Sequence, residues 1–378
     1  MIHSGVWLSL KLRIYSWIKI EINMNKTWKA NWEESKKHYL DWWNGEGLVI
    51  SMWDHLEQEG PPHEKVRRPP DAEDPDQFYF DPEWRSAYIH YMLSRTSLKA
   101  DIPPVANTHL GPGSLSAILG GYLEAAVDTI WIRENENPGD DIQFDEQNKW
   151  WQLHLDLLNA CRRYSHDRYF VGCPDLVEGL DTLAGIKGTQ PVLMDMILRP
   201  ELVENQLQKI NDIYFKVFDT IYDIIQEDGE MAFCYFSIWG PGKVAKLQSD
   251  ISIMIAEDDF GRFVLPYLRE QCRKLDYTLY HLDGVGAIRH IDAILEIDEL
   301  NAVQWSPGEG QPQGGDPCWF DLYRKIRSKG KSVMPCWVKQ EELEPLLDQV
   351  GATGLNVLMH FETEKDIDRT LHIAEKYR

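Results

Sequence analysis

Several features are scarce in this sequence, and each scarcity removes a class of function. The six cysteines, Cys161, Cys173, Cys234, Cys272, Cys318 and Cys336, are scattered, with no C-x-x-C pair and no dense framework. That usage fits reduced thiols in a cytoplasm rather than structural disulfides. Long apolar runs are missing too: Lys11, Arg13, Lys19 and Glu21 interrupt the first 23 residues, whereas a bilayer span needs about 20 consecutive apolar residues. A signal peptide would place its positive charges ahead of the apolar stretch and a small-residue cleavage site behind it, and neither is present. Basic residues number 39 against 61 acidic ones, a net charge of −22, which opposes docking on nucleic-acid phosphates or anionic membranes. No G-x-G-x-x-G turn follows an early apolar run, which argues against a dinucleotide-binding sheet.

What is present is a globular composition. The 378 residues are 43% hydrophobic and 11% aromatic, enough to bury a large core. From Met24, MNKTWKANWEESKKHYLDWW has the pattern of an amphipathic helix. Residues 1–23 are therefore expected to be a leader, and 24–378 a single domain with an N-terminal helical extension. Eight β-rich runs follow: GLVISMW, PVANTHL, RYFVGCP, MAFCYFSIW, YTLYHLDG, AVQWSPG, KSVMPCW and GLNVLMH. Between them lie helical patterns such as PELVENQLQKINDIYFKVFDTIYDIIQ and AEDDFGRFVLPYLREQCRKL. Nearly continuous apolar strands alternating with helices predict an α/β fold, a closed (β/α)8 TIM barrel with each strand covered on both faces. The acidic, proline-rich stretch from Glu57 to Phe78 reads as a long loop, either a surface excursion or a lid over the mouth.

A barrel gathers its chemistry at the C-terminal strand ends. His281 and Asp283 are spaced i, i+2 at the end of one run and so point the same way. With His360 at the end of the last run they form a candidate metal set with an open position. The alternative without metal has His281 as general base and Asp283 as hydrogen-bond acceptor. Asp250 is a second carboxylate candidate, or a helix cap. His109 and Asn107 sit at another strand end, and the turn His109–Ser114 opens a helix whose amides could cradle an anion. Trp53, Trp239, Trp305 and Trp337 also fall at strand ends, where they would wall a substrate pocket or cage a methylammonium cation.

The segment from Gly240 to Trp305, with NTHLGPGSLSAILGG and VGCPDLVEGLDTLAGIKGTQ, resembles the uroporphyrinogen decarboxylase superfamily over most of the chain after Met24. That resemblance implies a (β/α)8 barrel and either tetrapyrrole decarboxylation or cobamide-dependent methyl transfer. The R-Q-A-G-R-Y motif of authentic decarboxylases is missing, and early arginines are few beyond Arg67, Arg68 and Arg85. The methyltransferase branch binds zinc through H-x-C and a late cysteine; laid over this sequence they fall on His281-Leu282-Asp283 and on or near His360. The resemblance thus implies a cytoplasmic enzyme moving a methyl group between a small substrate and a corrinoid on a partner protein. Catalytic roles fall to Asp250, His281, Asp283 and His109; zinc falls to His281, Asp283 and His360; substrate contacts fall to Trp53, Asn107, Trp239, Trp305 and Trp337. The alternatives are a tetrapyrrole decarboxylase and a non-catalytic small-molecule or corrinoid-binding protein.

Overall fold

The computed structural model describes residues 28–378; the expected leader and the start at Met24 lie outside them. Among the described residues twelve strands are formed: β1 (Leu48–Met52), β2 (Val105–Ala106), β3 (Tyr122–Ala125), β4 (Ile130–Arg133), β5 (Phe170–Cys173), β6 (Met231–Phe233), β7 (Ile238–Gly240), β8 (Val244–Gln248), β9 (Tyr277–Asp283), β10 (Ala302–Ser306), β11 (Ser332–Val338) and β12 (Leu355–Met359). All eight apolar runs become strands. The fourth is broken by a tight turn into β6 and β7, which pair antiparallel. β8 and the β3–β4 hairpin were not expected.

Six strands form a parallel sheet in the order β1-β12-β11-β10-β9-β8, and a second sheet runs β2-β5-β6-β7. The fold is therefore α/β with a mostly parallel sheet. Among the described residues the two ladders are not joined to each other by strand pairing. At the β1/β2 seam a side chain does the work of a ladder: Asp101 accepts from Ile50 N at 3.0 Å, while Asp101 N donates to Ile50 O at 2.9 Å. At the other seam Val244 N lies 3.2 Å from Met231 Sδ.

The helices follow the apolar periodicity. Pro200–Ile225 buries Val203, Leu207, Ile210, Tyr214, Val217, Phe218 and Ile221 on one stripe. The AEDDFGRF pattern becomes two helices, Glu257–Phe263 and Leu265–Lys274, because Pro266 needs a first-turn position. The N-terminal helix Trp32–Trp43 buries Trp32, Tyr39, Trp42 and Trp43, and Trp32 meets Trp239 edge-on at 5.4 Å. Among the described residues no helix is long and apolar enough to cross a membrane.

The loop after β1 is tied along the flank in its first half. Gln58 N and His63 N donate to Arg95 O and Ser94 O, both at 2.8 Å, and Glu64 pairs with Arg168 at 2.6 Å. Arg168 lies just ahead of β5, at the end of that strand opposite the mouth. The glycine turn at 109–114 also has a packing origin. A Cβ on Gly113 would lie 2.8 Å from Ile132, and Gly111, at φ +81°, faces Ile130. Leu115 N, at the start of the short helix Ser114–Ile118, donates to Leu176 O. The turn serves the hairpin above it.

Gly172, inside β5, is a tightly packed point of the second sheet: a Cβ there would lie 2.8 Å from Ala106 O, Cys234 Cβ and Val105 Cγ1. Gly172→Ala should lower stability by about 1–3 kcal/mol through overpacking, read as a lower denaturant midpoint at unchanged slope.

Candidate active site

Register explains which side chains meet. Gln248, His281 and Gln304 are direct partners across β8, β9 and β10, and Asp283 is paired with Ser306 two residues on. Strand alternation puts Lys246, Gln248, His281, Asp283, Gln304 and Ser306 on one face. Asp250, just past β8, completes the group: Asp250, His281 and Asp283 each offer a donor atom within 4.8 Å of the others. The site thus combines two residues read directly from i, i+2 spacing with a third brought in by the unexpected strand.

Each member is held by a defined partner. Gln304 Nε2 donates to Ser306 Oγ at 2.9 Å and Cys336 Sγ at 2.7 Å. Its Oε1 therefore faces His281 Nδ1, with which it forms a short hydrogen bond. That arrangement puts the imidazole proton on Nδ1 and leaves Nε2 with its lone pair. Gln248 Nε2 donates to Asp250 Oδ2 at 2.8 Å. The turn that follows Ser249 is capped by Asp181, whose carboxylate accepts from Asp250 N at 2.7 Å and Ile251 N at 2.9 Å. Asp250 is thereby released from the capping role.

Beneath these groups lies Lys246, fully buried, 2.6 Å from Asp175 Oδ2 and in close contact with Gln248 Oε1. Its ammonium also stands 4.6 Å from the centre of the Tyr235 ring. Asp175, Glu178, Asp181, Asp250 and Asp283 all feel this one cation. Burial nevertheless raises every one of the five, Glu178 to about 8. Asp250 keeps an outer edge in solvent, yet burial of its inner side and the like charge of Asp181 lift it above the carboxylate range. Burial, reinforced by Lys246, pushes His281 down to about 3, so its ring is neutral. His109 is likewise pushed to about 3, by burial, Arg85 and Lys246, and its Nδ1 is buried without a partner.

The other expected residues are placed as follows. His360 is half-exposed, its Nδ1 2.9 Å from Asp54 Oδ2, and it is not among the residues that converge with His281. Trp305 lies on the sheet face opposite Gln304 and packs on Trp319 at 5.0 Å; Trp239 is buried against Trp32 and Tyr39. Trp53 stands at the mouth, 4.5 Å from Tyr235 and 6.2 Å from Trp337 between ring centres. Trp337 is turned there by a bulge in β11 and a φ of +58°. Asn107 and His109 are anchored by Arg85, which donates to both carbonyls. Five residues that build the site, Lys246, Tyr235, Gln248, Gln304 and Asp181, are not among those expected from sequence. The Lys-x-Gln-x-Asp alternation from 246 to 250 was the available signal for the first.

No family model matches the chain, and no curated protein matches it in sequence. Among solved structures it is similar to a methyltransferase from Methanosarcina mazei, with a TM-score of 0.56 at 9% identity, over 91% of this chain and 98% of that one. At that identity the likeness is one of fold.

A carboxyl raised in the folded state keeps a proton that the unfolded chain releases, so stability falls as pH climbs from the unfolded to the folded pKa. For Glu178 that window runs from 4.5 to about 8. The contribution of Glu178 should therefore be lost as pH rises from about 5 to about 8, and Glu178→Gln should remove that component from the slope of metal-free protein in denaturant titrations across the range.

Proposed function

We propose that this protein is a zinc-dependent methyltransferase that moves a methyl group between a small substrate and the cobalt of a corrinoid carried by a partner protein. The convergence of Asp250, His281 and Asp283 at the strand ends carries the reading. The fold likeness to a methyltransferase supports it, and we read the two sheets as parts of one (β/α)8 barrel.

The donor set fits a divalent cation. A neutral imidazole with a free Nε2, oriented by an amide behind it, is in the state a metal ligand requires. Two carboxylates beside it, in a region where one lysine faces five acids, would give up their protons on binding a cation and neutralise it. We assign the third ligand to Asp250 in place of His360, because Asp250 lies within the cluster and His360 is engaged by Asp54. One imidazole and two carboxylates make a hard, weakly electron-donating site suited to oxygen or nitrogen substrates. Zinc held there would supply Lewis acidity, lowering the proton affinity of a substrate heteroatom. The chain's own residues do the rest: Gln304 fixes the His281 tautomer, Gln248 fixes Asp250, and the aromatic side chains around Tyr235 shield the site from water.

Zinc should be near-stoichiometric after incubation and desalting, be lost in His281→Ala and Asp283→Asn, and be kept in His360→Ala, all by mass spectrometry on folded protein. Wild-type protein that stays empty would overturn the zinc assignment and return His281 to general-base chemistry. Because Asp250 is protonated more readily than an ordinary carboxylate, zinc added near pH 7 in weak buffer should release protons. Asp250→Asn should reduce that release, by potentiometric titration. Methyl transfer itself is tested by the spectral conversion of cob(I)alamin to methylcobalamin with candidate methyl donors.

A further inference from the structure

Beside the metal set, on the far side of Trp53, lies a cavity of about 270 Å³ at the ends of β1 and β2. Its floor is apolar: Met92, Leu98, Ile102 and Val105 line it, the last three buried. Its rim is polar and open, formed by Asp54, His55 and Asn107. Trp53 makes the inner wall, fixed by its Nε1 donating to Cys234 O at 3.3 Å and by tilted ring contacts with Tyr235 and Phe236. Phe236 and Ser237 behind it hold positive φ angles of +62° and +48°, strained backbone of the kind kept at working sites.

The rim is chemically specific because neighbouring bonds fix what each group presents. Thr96 Oγ1 donates to Met92 O at 2.9 Å, so at 2.6 Å it must accept from His55 Nδ1, leaving His55 Nε2 as an acceptor. Asn107 Oδ1 accepts from His109 N at 3.0 Å, leaving Nδ2 as a donor. Asp54 gives Oδ2 to His360 and keeps Oδ1 as an acceptor. The rim thus offers two acceptors and one donor above an apolar floor, in a volume just below the about 300–1,000 Å³ of drug-sized ligand pockets.

We propose that this cavity binds an uncharged single-ring hydroxyl compound of the phenol class, ring down and oxygen at the rim. A hydroxyl both donates to Asp54 or His55 and accepts from Asn107. An ammonium only donates, and a carboxylate only accepts and is repelled by Asp54. The inference deepens the methyltransferase reading by naming the substrate class, and rests on that reading only for what happens to the oxygen.

The test is 19F NMR titration of metal-free and zinc-loaded protein with 4-fluorophenol, fluorobenzene, 4-fluorobenzylammonium and 4-fluorobenzoate. 4-Fluorophenol should saturate one site, with fluorobenzene and 4-fluorobenzylammonium at least tenfold weaker and the benzoate silent. Leu98→Trp or Ile102→Trp, filling the floor, should abolish phenol binding, and Asp54→Ala should bring phenol towards fluorobenzene. Equal affinity for phenol and fluorobenzene, tightest binding by the ammonium, or phenol binding that survives both tryptophan variants, would overturn the assignment without needing any variant of the metal set. Phenol binding in a protein that takes up no zinc would leave the cavity standing and remove the metal reading; zinc uptake without phenol binding would do the reverse.

Discussion

The buried ammonium of Lys246 is the group on which the mouth of this fold depends. Moving such a charge from water into a protein interior costs several kcal/mol even after relaxation, and it is tolerated here because Asp175 and Gln248 hold it within hydrogen-bonding distance. Its field reaches the carboxylates above it, where it opposes the rise that burial causes, and the two imidazoles, where it adds to the lowering that burial causes. Remove the lysine and the acids face one another without a counter-charge. One cation therefore bears on the protonation of all three residues of the donor set and, through Gln248, on the orientation of Asp250.

Around that charge the backbone is bent in ways that ordinary packing does not ask for. Val177, Phe236, Ser237 and Trp337 are non-glycine residues at positive φ, and each lies just beyond or at the end of a strand of the mouth. Phe236 and Ser237 form the turn between β6 and β7, which swings Tyr235 over Lys246 and against Trp53. The bulge at Trp337 breaks the β11–β12 register and brings an indole that would otherwise face outward towards Trp53. Such conformations cost on the order of 1–3 kcal/mol each and are held by the aromatic contacts they create.

Most of the strand framework was legible because each of the eight runs is bounded by turn residues and dense in β-branched or aromatic residues. β8 escaped because VAKLQ places lysine and glutamine at its inward positions, a polar face that reads as surface until burial is known. The same blindness hid Lys246. His281 and Asp283 were legible from spacing alone, since strand alternation is a local property. Asp250 was visible as a carboxylate, but its release from capping depends on Asp181, sixty-nine residues away in sequence. Trp305 illustrates the opposite error: it was read one residue from the inward-facing Gln304, and in a strand one residue is the whole difference between the two faces.

The aromatic wall of Trp53, Tyr235 and Phe236 divides the mouth into an acidic half and an apolar half, and the division has a physical consequence. Charge-selective and shape-selective recognition make opposite demands on a pocket: one needs unpaired polar groups kept from water, the other a dry surface free of them. Placing both in one cavity would leave either uncompensated carboxylates against hydrocarbon or a wet floor. Separating them by three rings, of which Tyr235 and Phe236 meet His281 and Trp53 lines the cavity, lets each half keep its own dielectric. A molecule seated on the apolar side would present only its polar end at the rim, so the wall would govern which molecules approach Asp250, His281 and Asp283.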